Sequence, residues 1–154
     1  MTEEETQEHK KHGKELNNLV WRLLQKKDRS EDEDATMVHA AHASCYHWSV
    51  AGTAVNAARG EWLVSHVYSV LERQEPALHH ARKCLEICRA NEIDGFDIAY
   101  AHEGMARALA ANKQKGESEK HYRLAQEAGN RIEEEEDRDL FFQDFKAGPW
   151  YGLD

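Results

Sequence analysis

The chain has 154 residues, with 20 Lys and Arg against 29 Asp and Glu, a formal charge of −9, and 40% hydrophobic residues. A domain of this length can withdraw roughly two thirds of its unfolded surface from water, enough for one core. The acid excess argues against DNA, RNA and anionic lipid as partners, and no apolar run approaches the roughly 20 residues that cross a membrane. Residues 1–14 are charged and unlike a secretory signal, so a cytoplasmic location is expected. Three cysteines, Cys45, Cys84 and Cys88, point to reduced thiols rather than a disulfide framework.

Two prolines and scarce β-branched runs favour helices. Residues 1–14 are polar without a period and are expected to form a flexible arm. From Glu15 onward, Leu16, Leu19, Val20, Leu23 and Leu24 recur at three- and four-residue spacing, the apolar stripe of a first helix. Ser30-Glu31-Asp32-Glu33 reads as a capping box, with its acids at the positive end of the helix dipole. The second helix then runs towards Val50, with Val38, Ala41, Cys45 and Trp48 inward. Ala51-Gly52-Thr53 breaks it. Asn56 can cap a third helix that reaches towards Gln74 and buries Leu63, Val67, Val70 and Leu71. Pro76 suits the first turn of a fourth, which ends near Asn91 with Ala77, Leu78, Ala81, Cys84, Leu85 and Cys88 inward.

Asp94-Gly95 is a turn signal before a fifth helix over 96–111, packed through Ile98, Ala99, Met105, Ala106 and Leu109. Gly116 separates a sixth helix, with Tyr122, Leu124, Ala125 and Ala128 inward and Gly129 as its C-terminal cap. A seventh covers 131–145, starting with acids and ending on Leu140, Phe141 and Phe145. Trp150 and Tyr151 of the tail are expected to fold back onto it. The expectation is all-α.

Self-comparison adds a repeat: Ala77, Ala81 and Cys84 have counterparts at Ser118, Tyr122 and Ala125, each 41 residues on. Small residues at this spacing let two helices approach closely while larger neighbours fill the groove between them. The segments EPALHHARKCLEIC and GESEKHYRLAQEA, each preceded by a partner helix, resemble the second helices of tetratricopeptide repeats (TPR). Ala77, Ala81 and Cys84 match the family's small–large–small positions, with Ala81 in place of the usual aromatic and Tyr122 retaining it. Trp62 and Tyr68 lie near the aromatic positions of the first helix. The resemblance implies a TPR-like right-handed superhelix of antiparallel helix pairs. Its units would be 57–91 and 96–129, with a degenerate pair at 15–51, a capping helix at 131–146 and a tail at 147–154. The spacing of 41 exceeds the family's usual period of about 34.

Stacked helix pairs leave a concave face lined by the first helix of each pair. The resemblance implies that an extended peptide or a partner's helix binds there. Carried onto that face, Arg59, Trp62, His66 and Ser69 of helix three stand beside Tyr100, Glu103 and Arg107 of helix five. Arg59 and Arg107 are expected to grip a carboxylate, with Trp62 and Tyr100 as apolar anchors. The structural alternative pairs the arginines with Glu61, Glu72 or Glu103 and puts the aromatics between helices.

Ten histidines prompt a metal test. His39, His42 and His47 share helix two, and His66 follows in helix three. His39 and His42 are one turn apart, whereas His47 sits about 80° round the helix from His39. Three ligands and an open position would be needed, and neither a His-Glu-x-x-His nor a Glu-x-x-His motif occurs. His79 and His80 are expected at the surface, His102 and His121 in helix packing. Cys84 and Cys88 read as buried thiols; Cys45, beside His42, is the one mild nucleophile candidate. No nucleophile elbow, phosphate loop or dinucleotide fingerprint is present, and no cofactor is expected. The acidic run 133–137 reads as a solvated helix start that could dock a basic partner.

The favoured reading is a non-catalytic module that binds a peptide or partner protein. Two other classes stand beside it. One is a metal- or small-molecule-binding bundle using the clustered histidines. The other is a self-assembling homo-oligomer joined through Trp62 or Trp150.

Overall fold

The computed structural model describes residues 1–152; Leu153 and Asp154, the end of the 147–154 tail, lie outside them. Seven helices follow in chain order, and no strand occurs among the described residues. They are α1 (Glu3–Leu24), α2 (Glu31–Ala51), α3 (Ala54–Val70), α4 (Gln74–Ala90), α5 (Phe96–Ala111), α6 (Lys115–Asn130) and α7 (Glu135–Ala147). No helix is long and apolar enough to cross a membrane among these residues.

The polar arm expected over 1–14 is helix instead. Thr2 and Glu5 close a capping box, with the Glu5 amide donating to Thr2 Oγ1 at 3.1 Å and the Thr2 amide to Glu5 Oε2 at 2.7 Å. Glu3, Glu4 and Glu5 then sit where the dipole favours negative charge. What holds this helical start is a close approach to α2 at Gly13. Its carbonyl accepts from the buried Ser44 hydroxyl at 2.8 Å, and a Cβ there would lie 2.7 Å from Trp48 Nε1. Polarity along 1–14 therefore marks one exposed side, not the absence of a helix.

Short turns bring consecutive helices back on one another, and α1–α2, α3–α4 and α5–α6 make the most extensive contacts. Three of the turns are built alike. Glu72, Glu92 and Lys113 adopt left-handed φ values of 58°, 52° and 60°. The amides after them reach back to Tyr68, Cys88 and Leu109 carbonyls, each at 2.9 Å. Because Glu72 turns the chain, α3 ends before the expected Gln74. Its N-cap is Thr53, whose amide donates to Asn56 Oδ1 at 2.9 Å.

The step of 41 residues between equivalent positions is visible in the packing. Ser65 Oγ donates to the Ala77 carbonyl at 2.7 Å, and Ser118 Oγ donates to the Ala106 carbonyl at 2.8 Å. These are the same two positions of successive pairs with the hydroxyl moved to the other helix. Ala77, Ala81, Cys84 and Cys88 are buried as the α4 pattern indicates.

Three local expectations change. In α2 the buried residues are Met37, Ala40, Ala41 and Ser44, because the helix is held between α1 and α3; Val38, Cys45 and Trp48 are only partly covered. Gly129 is no cap: it lies buried inside α6, where a Cβ would come 2.4 Å from Phe141. The seventh helix starts at Glu135, after a turn that buries Ile132. The tail does fold back, and further than expected. Trp150 Nε1 donates to the Phe145 carbonyl at 2.8 Å, while the Tyr151 hydroxyl crosses to the Ser69 carbonyl of α3.

Candidate functional site

The odd-numbered helices line one face, and a cleft of about 460 Å³ opens there. Asn17 and Trp21 come from α1 and Gln25 from its C-cap, Ala58, Arg59 and Trp62 from α3, and Phe96, Asp97 and Tyr100 from α5. Leu140, Gln143 and Asp144 of α7 close the far side. Four aromatic rings line the wall. Trp21 stacks on Trp62 with centroids 6.0 Å apart, Trp62 meets Tyr100 edge-on at 5.2 Å, and Phe96 lies 4.8 Å from Tyr100.

Repeat-equivalent residues meet across this face. Trp21, Trp62, Glu103 and Asp144 are successive members of a series with a step of 41 residues. Trp62 Nε1 donates to Glu103 Oε2 at 2.8 Å, and Tyr100 Oη donates to Asp144 Oδ2 at 2.6 Å.

Beneath the aromatics lies a charged layer. Glu103 is 0% exposed and Arg107 1%, and one turn apart on α5 they form an ion pair. Burial raises the Glu103 carboxyl, while Arg107 and the Trp62 indole pull it back down. Arg107 also donates to His66 Nδ1, which requires a neutral imidazole there. Burial and then the Arg107 charge hold His66 well below its usual range, consistent with that role. The Arg107 guanidinium stands 5.4 Å over the Trp150 ring, so the tail seals this layer. Arg107 Nε and Ser69 Oγ are buried without a hydrogen-bond partner among the described residues.

All seven sequence-predicted residues thus belong to one region, but at two depths. Arg59, Trp62 and Tyr100 line the cleft; His66, Ser69, Glu103 and Arg107 do not, and the last three are fully covered. The two arginines expected to grip a carboxylate are each paired within the chain. Arg107 is engaged by Glu103, and Arg59 lies bidentate on Asp97 through Nε at 2.7 Å and Nη2 at 3.2 Å. Each guanidinium therefore already carries one carboxylate. Trp21, Asp97 and Asp144 were missed, although the step of 41 residues leads from Trp62 back to Trp21 and from Glu103 on to Asp144.

The histidines proposed as metal ligands diverge. His42 Nε2 lies 2.7 Å from the Tyr68 hydroxyl, His47 Nδ1 lies 2.8 Å from His9 Nδ1, and His66 faces Arg107. No group of three side chains that could hold a metal ion occurs among the described residues. His80, expected at the surface, is partly covered and lies 2.6 Å from Glu61 Oε2. Cys45 is a poor nucleophile, since burial and then Glu61 push its thiol up to about 12. Trp62 and Trp150, the proposed self-association anchors, are 8% and 5% exposed and turned into their own chain. Comparison with protein-family models, with curated proteins and with solved structures finds no match to this chain.

One buried pair gives a pH prediction. His102 of α5 and His121 of α6 place their Nδ1 atoms 3.0 Å apart, both nearly covered. Burial, then His121 and Arg89, hold His102 down to about 4; burial, then Lys120 and Arg89, lower His121 against the pull of Glu117. A histidine depressed on folding contributes stability above its unfolded value and loses it as pH falls. Stability is therefore expected to drop from pH 6.5 towards 4, by on the order of 3 kcal/mol from His102 alone. Urea midpoints across that window check it. The double variant His102→Leu/His121→Leu should make the fall shallower, leaving the share that the depressed His66 contributes, and an equal fall in both proteins would discard the explanation.

Proposed function

We propose that this chain is a non-catalytic interaction module of TPR-like helix pairs, wound as a right-handed superhelix, that binds a peptide segment of a partner protein in the cleft. The observation that supports it is the construction of the cleft. Every odd helix contributes to it, four aromatic side chains stand in its wall, and its deeper charges are engaged with one another rather than arranged around a reacting atom. Aromatic side chains supply large contact area at low entropic cost, which suits recognition. Fold alone assigns no function, so the cleft carries the proposal.

A random peptide library displayed against the protein tests it. Peptides enriched on the wild type should fail on Gln143→Trp, which places an indole at the cleft wall from an exposed α7 position. Equal enrichment on both proteins, or none on the wild type, would discard the cleft as the binding site.

A further inference from the structure

We infer that the occupant of the cleft is basic: a lysine or arginine side chain of an extended partner segment, seated against the aromatic wall beside Asp144. The inference rests on the proposed use of the cleft and adds the sign of its ligand, opposite to the carboxylate expected from Arg59 and Arg107.

The charges of the lining carry the argument. Arg59, the one cationic residue on the cleft wall among the described residues, is held bidentately by Asp97 and lies 5.6 Å from the Phe96 centroid. An acidic ligand would have to share the Arg59 guanidinium with Asp97, which already offsets its charge. Asp144 differs. It accepts the Tyr100 hydroxyl at 2.6 Å, and no Lys, Arg or His pairs with its carboxylate among the described residues. Burial and then Asp144 raise the Tyr100 phenol, so it stays a neutral donor to that carboxylate. That charge faces the cleft next to rings whose faces attract cations.

The surroundings have the same sign. On the far side of Phe96 a second hollow of about 440 Å³ is bordered by Asp94, Glu133, Glu134 and Asp137 against Arg131 alone. A chain leaving the cleft past Phe96 would therefore run along carboxylates. The net charge of −9 favours encounter with a basic partner at a distance.

The test uses three synthetic octapeptides that alternate alanine with lysine, glutamate or glutamine, read by the indole N–H resonances of Trp21 and Trp62. The lysine peptide should shift both signals, and high salt should weaken it. The Asp144→Asn variant, which keeps an acceptor for Tyr100, should weaken the lysine peptide about tenfold, the size of one partly desolvated charge contact. Arg59→Gln should do the reverse, because it releases Asp97. These opposite directions separate a charge effect from damage to the fold. Preference for the glutamate or glutamine peptide, or indifference to both substitutions, would overturn the basic occupant while leaving the cleft as a peptide site. If none of the octapeptides shifts the indoles, the basic occupant fails; library peptides that still require an open cleft would then show that the site itself stands.

Discussion

Replacing Arg107 by leucine is expected to lower stability by about 3–5 kcal/mol, the usual cost of leaving one member of a buried ion pair without its partner. Arg107 is 1% exposed, and its removal strands Glu103 at 0% exposure with only the Trp62 indole as a donor. Urea unfolding at neutral pH measures the loss. The pH dependence has a definite sign. A carboxyl raised on folding favours the native state most below its unfolded value and loses that contribution as pH rises through its folded value. Burial already raises Glu103, and without Arg107 it rises further. The deficit of Arg107→Leu should therefore shrink as the solution is acidified. The double variant Glu103→Met/Arg107→Met should recover most of the loss, since hydrophobic replacement of a buried pair is often neutral or stabilising. A deficit in Arg107→Leu below about 1 kcal/mol would show that water reaches the pair.

The tail is the second large effect. Trp150→Ala should cost about 3–5 kcal/mol, as for other large aromatic truncations in a core. Trp150 is 5% exposed, donates to the Phe145 carbonyl, and packs against Tyr122 at 5.0 Å and Phe145 at 5.5 Å. It also covers the Arg107 guanidinium. The substitution should accelerate hydrogen exchange in α6 and α7 together, because one indole holds both. A change within about 0.5 kcal/mol would place Trp150 in the ordinary range of surface substitutions and detach the tail from the core.

Both effects follow from residues whose chemistry was readable but whose partners were not. Glu103 and Arg107 stand one turn apart, and pairing between them was one of the alternatives open from the sequence. Their burial was not open to view, because α7 and the tail cover α5 from far along the chain. The same distance concealed the charge of the cleft. Arg59 meets Asp97 from a separate helix, and no local pattern joins them.

The Thr2–Glu5 capping box lies in a polar segment with no apolar stripe, so the cap is the sole local mark of that helix start. Gly129 has the residue type of a helix cap, yet α6 continues because Phe141 needs the space a side chain would fill. The left-handed turns at Glu72, Glu92 and Lys113 carry no glycine, so the usual stop signal was missing.

By itself the sequence determined the helical class, the approximate course of α4 and α5, the buried small-residue stripe and the step of 41 residues. These are local or periodic properties, and helix packing repeats them wherever the spacing recurs. Tertiary structure decided which side of α2 is buried, how deep each groove residue lies, and that Arg59 and Arg107 are already paired. Burial and electrostatic pairing depend on residues brought together from separate helices, and so does the sign of charge that the cleft presents to a partner.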